Sequence, residues 1–228
     1  MKFKVEYSID KDMIPYMKVI WKMQYKSYGR DGLQERLLKY KPGQFQKDIK
    51  KAKTEEGAKR VMHDFLCENL EGNRVEFDSN VKRIQKTLDG NKGRIIGKLE
   101  SLFGKKFPFE EITVYLTTAG ICPYNYDKRW FMVYTNADEA RILSVASHEL
   151  NHFMFYYYYS HGLEQEGIDD HKLMVLKEAL VVLDPNDVDK KPQAEDLKKF
   201  LKALSSRPMD EIIEFAIKSK AFQNIKPQ

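Results

Sequence analysis

Cysteine is scarce in this chain of 228 residues, which contains only Cys67 and Cys122. Two cysteines this far apart fit neither a disulfide framework nor the spacing of a metal site, so we expect both thiols to be reduced. The chain also lacks a run of about 20 apolar residues that would cross a membrane. Its first residues lack the apolar segment of a signal peptide. We therefore expect a cytoplasmic protein without a membrane segment.

A large excess of charge of one sign is also missing, since 39 Lys and Arg face 34 Asp and Glu, for a net charge of +5. The basic residues mostly alternate with acidic ones, as is typical of a solvated surface. Nucleic acid is therefore not an expected partner. A weaker alternative is a nucleic-acid binder built on the Lys and Arg side chains of residues 36–60, which would require strongly salt-dependent affinity.

The strongest functional signal is the pattern His-Glu-x-x-His over residues 148–152. Side chains four residues apart lie on the same face of a helix, so His148 and His152 can offer two imidazoles to one metal ion. Glu149 is rotated by about 100° from His148 around the helix axis, which keeps it beside the metal without making it a ligand. A base that takes a proton from water is expected at this position. The alternative is two buried histidines that only make hydrogen bonds.

The flanks of this pattern favour a long helix. Residues 137–159 contain no Gly or Pro, and Asn136 followed by Glu139 predicts a capping box at the helix start. A catalytic zinc site has three protein ligands and keeps one position for water, so a third ligand is needed. In the metzincin pattern a Gly and a His complete the site at positions that hold Phe155 and Tyr158 here, which excludes that class.

A second helix, predicted over residues 170–183 with Asp169 or Asp170 as its N-cap, carries the best third ligand. Glu178 lies there among apolar residues, where a carboxylate is costly unless it is paired or bound to metal. A solvent-facing Glu178 is the alternative. The competing third ligands are His161, Glu164, Glu166 and His171.

With His148, Glu149, His152 and Glu178 in this order, residues 90–185 resemble the gluzincin metallopeptidases, the thermolysin-like and minimal gluzincin group. The resemblance implies that His148, His152 and Glu178 bind Zn²⁺ and that Glu149 is the general base that hydrolyses a peptide bond of a peptide or protein substrate. It also implies that the strand before the active-site helix pairs with an extended substrate. The rival hypothesis is a non-catalytic protein-binding module with a degenerate or structural metal site.

The chain departs from this family beside the third ligand. Some gluzincins have an Asn just before the glutamate and an Asp four residues after it, where this chain has Lys177 and Val182. The second carboxylate of the site must therefore come from elsewhere or be missing.

Two further side chains are candidates for catalytic roles. Tyr156 is four residues beyond His152 and continues the metal-facing stripe, and a tyrosine hydroxyl can stabilise an oxyanion. His171 precedes Glu178 by seven residues on roughly the same helix face and is a candidate for electrophilic assistance. Packing is the alternative role for Tyr156.

The predicted fold is α+β and mostly helical. It consists of a zincin-like catalytic core with a small β-sheet, a backing helix, an active-site helix and a glutamate helix. Residues 1–80 form a mainly helical N-terminal region packed on the core, and residues 81–228 form the metallopeptidase core with C-terminal helices. Alternating or β-branched residues predict strands over 1–7, 75–77, 112–117 and 129–134. Apolar periodicity predicts N-terminal helices over 10–28, 33–40 and 45–70, and a backing helix over 81–103 that is broken at Gly90.

Overall fold

The computed structural model describes residues 1–21, 37–38, 41–184 and 194–225. Most of these residues are helical, and a small mixed sheet accompanies them, in agreement with the predicted α+β class. The chain divides into two compact units. The sheet unit comprises Lys2–Thr87 and Glu111–Ile142, and the helical unit comprises Leu88–Glu110 and Leu143–Gln228. The functional division at residue 80 stays a prediction.

The sheet has four strands in the order β1-β2-β4-β3. The three longer strands, which were predicted, are parallel neighbours: β1 (Lys2–Glu6), β2 (Glu111–Thr117) and β4 (Trp130–Tyr134). The short β3 (Tyr124–Asn125) runs antiparallel to β4 and pairs with Phe131 and Trp130. These two residues are therefore paired on both sides, so β4 offers less free edge to an extended substrate than the resemblance implies.

The outer edge of β1 is covered by a side chain. The amide of Gln85 accepts a hydrogen bond from the Val5 backbone N–H at 2.9 Å and donates one to the Phe3 carbonyl at 3.1 Å. An unpaired strand edge exposes backbone groups that other chains can pair with. The Gln85 amide imitates a short piece of neighbouring strand and satisfies two of these groups.

The N-terminal helices pack around one apolar core. Ser8 caps α1 (Ile9–Tyr16), which continues into a π-helical turn, Met17–Trp21. Farther along the described chain lie α2 (Gly43–Lys51) and α3 (Glu55–Gly72), and α3 contacts both α1 and α2. The large buried side chains of this core include Tyr16, Val19, Ile20, Phe45, Ile49, Met62 and Leu66.

Several predicted boundaries in this region are wrong or lie outside the described residues. The predicted helix over 45–70 is two helices, because Thr54 accepts a hydrogen bond from the Gly57 N–H and starts α3. The predicted strand at 75–77 lies inside α4 (Arg74–Phe103), which also runs unbroken through Gly90. Most of the predicted helix over 33–40 and the end of that over 10–28 fall outside the described residues.

The helical unit begins within α4 and contains the later helices. The helix α5 (Glu139–Phe155) passes into a π-helical turn, Tyr156–Ser160, and α6 (His161–Gln165) follows. The glutamate helix is α7 (Asp170–Leu180), which continues as a 3-10 turn, Val181–Leu183. The C-terminal helices are α8 (Glu195–Ala203), α9 (Met209–Lys218) and α10 (Lys220–Gln223). The glutamate helix α7 packs on α8, and α8 packs on α9 and α10, so the C-terminal helices hold α7 in place.

The caps of α5 and α7 test two sequence predictions. Asp169 accepts a hydrogen bond from the Lys172 N–H at 2.8 Å and is the predicted N-cap of α7. The capping box that starts at Asn136 is wrong, because Asp138 accepts from the Arg141 N–H at 2.8 Å and α5 begins at Glu139. Across the described residues, every helix is too short or too polar to cross a lipid bilayer.

Arg83 fixes the chain that leads from β4 into α5. Its guanidinium donates to the carbonyls of Ala137 and Thr135, each at 2.8 Å, and to the Asn80 side chain. A guanidinium presents several donors in a rigid plane, so a single side chain can bind two backbone carbonyls at once. The start of α5 is therefore anchored to α4 within the sheet unit.

Asp12 is a fully buried carboxylate of the sheet unit. Its Oδ1 accepts from the Thr117 hydroxyl at 2.7 Å and the Thr118 N–H at 2.8 Å, while its Oδ2 accepts from the Thr118 hydroxyl at 2.7 Å and the Tyr7 hydroxyl at 3.0 Å. Burial raises the pKa of Asp12 above its usual value, although these hydrogen bonds oppose the shift. Because all four partners donate, the site requires an acceptor at both oxygens. Asp12 thereby ties α1 to the end of β2.

We expect Asp12→Asn to lower the free energy of unfolding by about 2 kcal/mol. The NH2 group of the asparagine would be a donor that faces groups which themselves donate, so a buried hydrogen bond would be lost. Urea denaturation followed by circular dichroism measures this change. The matched control is Asp10→Asn, since Asp10 is an exposed acid in the first turn of the same helix. Equal stability of the two variants would contradict a structural role for the Asp12 carboxylate.

Candidate metal centre

Two helices of the helical unit bring three possible metal ligands together. His148 and His152 are one turn apart on α5, and their ring centres are 4.4 Å apart. Glu178 projects toward them from α7, and each of the three residues offers a ligand atom within 4.8 Å of the other two. The structure therefore groups the three residues that the sequence predicts as metal ligands.

The distances between these atoms are short enough for one metal ion to contact all three side chains. His152 Nε2 lies 3.4 Å from Glu178 Oε1, and His148 Nε2 lies 3.8 Å from Glu178 Oε2. Zinc bonds to nitrogen and oxygen are about 2.0–2.2 Å long, so neighbouring ligand atoms of a zinc tetrahedron are about 3.4 Å apart. The two histidines approach different oxygens of Glu178, and both distances are close to this spacing.

Both histidines of the cluster are buried. His152 is fully buried, and His148 is only 8% exposed. Burial, followed by the positive charge of Lys177, lowers the pKa of His152 well below its usual range. A metal binds the neutral imidazole, so protons compete weakly for this ligand.

Glu149 lies beside the first histidine on α5 and is only 7% exposed. A carboxylate that is removed from water to this extent is costly, so its burial at the candidate site calls for a cation or donors nearby. The position agrees with that of the predicted general base. The catalytic role of Glu149 stays a prediction.

A hydrogen bond links α5 to the chain that follows α7. The Ser147 hydroxyl donates to Asp184 Oδ2, and both side chains are buried. Ser147 directly precedes His148, and Asp184 directly follows the 3-10 turn that continues α7. The sequence analysis missed Asp184, although a second carboxylate was sought near position 182. The signal that could have identified it is an acid at the end of an apolar helix, just before Pro185.

Lys177 places an ammonium group at the candidate centre. Its side chain is buried, with Nζ 3.0 Å from Glu178 Oε1 and 5.8 Å from the centre of the Tyr156 ring. The sequence marked Lys177 only as a departure from the family pattern. Its contact with Glu178 could not be read from the sequence, since neighbouring residues on a helix point about 100° apart and only the long lysine side chain bridges this angle.

The four consecutive tyrosines point in different directions from the π-helical turn. The Tyr158 hydroxyl donates to the Lys106 carbonyl at 2.6 Å, and the Tyr159 hydroxyl donates to Asp210 at 2.7 Å. Tyr157 is exposed, whereas Tyr156 is half-buried and lies near Lys177. Of the four tyrosines, Tyr156 is therefore the one near Lys177, the residue that precedes Glu178. Its catalytic role stays a prediction.

The remaining candidates lie outside the three-residue cluster. His171 is half-buried in the first turn of α7, two turns before Glu178. The alternative ligands His161, Glu164 and Glu166 are exposed on or next to α6. Among the described residues, the cluster therefore consists of His148, His152 and Glu178, and the role of His171 stays a prediction.

Comparison of the chain with protein-family models, curated proteins and solved structures gives no match. The resemblance to gluzincins therefore rests on the order of four residues and on the geometry of the cluster. The structure supports a possible metal site at His148, His152 and Glu178.

We expect His152→Ala to weaken Zn²⁺ binding by more than about 100-fold, because it removes one of three ligands, and losing an outer contact alone costs about 10–100-fold. Competition with a chromophoric chelator measures the dissociation constant. His161→Ala is the matched control, because His161 is exposed and contacts Gln165 rather than the cluster. If His152→Ala bound zinc as tightly as the wild type, the metal centre would have to lie elsewhere.

Proposed function

We propose that the protein is a zinc metallopeptidase that hydrolyses peptide bonds in a peptide or protein substrate. The observation that carries this proposal is the cluster of His148, His152 and Glu178, whose ligand atoms lie within 4.8 Å of one another. Two imidazoles and one carboxylate are a donor set that suits zinc. Three protein ligands also leave the open fourth position that separates catalytic from structural zinc sites.

The charges around the cluster support a divalent cation. Glu149, Glu178 and Asp184 contribute three carboxylates, and Lys177 contributes one ammonium. Among the described residues of the helical unit, Lys177 is the one buried lysine or arginine. Three carboxylates and one ammonium differ by two formal charges, which a divalent ion would offset, and this would reduce the cost of burying the carboxylates.

Each side chain has a distinct task in the proposed reaction. His148, His152 and Glu178 hold the zinc, which when bound acts as a Lewis acid on the carbonyl and lowers the pKa of water. A carboxylate oxygen of Glu149 takes the proton of the attacking water and delivers it to the nitrogen of the leaving amine. Near-complete burial limits exchange of this proton with bulk solvent. Tyr156 and His171 are the candidates for stabilising the oxyanion.

We expect Glu149→Gln to retain one zinc ion per chain and to lower peptide hydrolysis by at least about 100-fold, because the amide cannot take the proton. Mass spectrometry of a broad peptide library after incubation measures cleavage, and metal analysis of the same samples measures zinc. Glu164→Gln is the matched control, since Glu164 is an exposed glutamate on α6.

Two outcomes would count against the proposal in different ways. Cleavage by Glu149→Gln at the wild-type rate would remove Glu149 from the mechanism. Stoichiometric zinc in the wild type with no cleavage anywhere in the library would favour the rival hypothesis of a protein-binding module with a structural metal site.

A further inference from the structure

We propose that Lys177 competes with the metal ion for Glu178, so that its ammonium group weakens metal binding and keeps occupancy of the site reversible. The inference rests on the proposed function, because it requires a metal at His148, His152 and Glu178. It goes beyond that function in assigning to Lys177 an effect on how tightly the site holds its metal ion.

The geometry gives both cations the same carboxylate. Lys177 Nζ is 3.0 Å from Glu178 Oε1, and this oxygen is also 3.4 Å from His152 Nε2. An ion bound by His152 and Glu178 would therefore share the carboxylate with the ammonium group. Two cations on one carboxylate repel each other.

Burial strengthens this repulsion. Lys177 is 2% exposed, so little water screens its charge from the site. Its Nζ also lies 3.0 Å from Glu178 Oε1 and 5.8 Å from the centre of the Tyr156 ring, and both groups attract a cation at this place. The repulsion is therefore expressed as weaker metal binding rather than relieved by movement of the lysine.

A purely orienting role for Lys177 predicts the opposite sign. Partners that fix a ligand normally strengthen metal binding, and losing them weakens it. An ammonium donor, however, draws negative charge from the carboxylate to which it binds, and this makes the oxygen a poorer ligand. The sign of the change in zinc affinity therefore separates competition from orientation.

The test compares Zn²⁺ dissociation constants of Lys177→Met, Lys177→Gln and Lys177→Arg, measured by chelator competition on the full chain. We expect the neutral Met and Gln variants to bind zinc at least about tenfold more tightly than the wild type, and the charged Arg variant to stay near it. Lys172→Met is the matched control, because Lys172 lies on the same helix near Phe222. The Gln variant keeps the test decisive if the Met variant does not fold.

Thermal unfolding gives a second readout that does not depend on activity. Without metal, Lys177→Met and Lys177→Gln should have lower Tm values than the wild type, because Glu178 loses a cation. Added zinc should raise their Tm more than it raises that of the wild type, since tighter binding to the folded state stabilises it more.

The outcomes separate this inference from the proposed function. Zinc binding by the wild type with equal or weaker binding by the neutral variants would overturn the role of Lys177 alone. Absence of zinc binding in the wild type and in every variant would overturn both proposals. Binding by the neutral variants that greatly exceeds wild-type binding supports the competition.

Discussion

The placement of one carboxylate against two buried imidazoles is the constraint on which the helical unit depends. Glu178 lies 3.4 Å from His152 and 3.8 Å from His148, on a helix distant in sequence from theirs. Such a cluster is costly to bury unless a cation neutralises it. Of the contacts that surround it, the Ser147 hydrogen bond to Asp184 ties α5 to the chain that follows α7, and the Lys177 ammonium places one positive charge against Glu178.

The ligand cluster could be predicted because each part has a local cause. The spacing of His148 and His152 matches one turn of a helix, which needs no tertiary information. The helix of Glu178 could be recognised from its Asp169 cap and its apolar positions. The partners of these residues could not be predicted, because Asp184 reaches Ser147 only once the chain has folded, and the side-chain conformation that brings Lys177 to Glu178 is not encoded in the spacing of the two residues.

Sequence reasoning failed where a local signal met a stronger competing one. Gly90 disfavours a helix by about 1 kcal/mol relative to Ala, yet α4 continues through it because buried residues on one stripe, such as Leu88 and Ile95, outweigh that cost. Residues 75–77 have the composition of a strand, but they lie in the first turn of α4. The helix that Thr54 caps starts inside a stretch whose apolar spacing is continuous. Apolar residues that keep a period of 3.6 across a break between two helices give no sign of that break.

The helix that carries both histidines is fixed near its middle and beyond its end, which bears on the kind of metal it can hold. Ser147 is bound to Asp184, and after the π-helical turn the Tyr159 hydroxyl binds Asp210, which also pairs with Lys105 at 3.0 Å. A π-helical turn shifts the direction of the side chains that follow, so Tyr158 and Tyr159 can anchor the chain while Tyr156 stays near Lys177. Ligands on a helix held in this way have little freedom to adapt, so the site should discriminate against ions that require more ligands or longer bonds. In the proposed site, the fixed spacing of the ligands would act on which ion binds, and the charge of Lys177 would act on how tightly that ion is held.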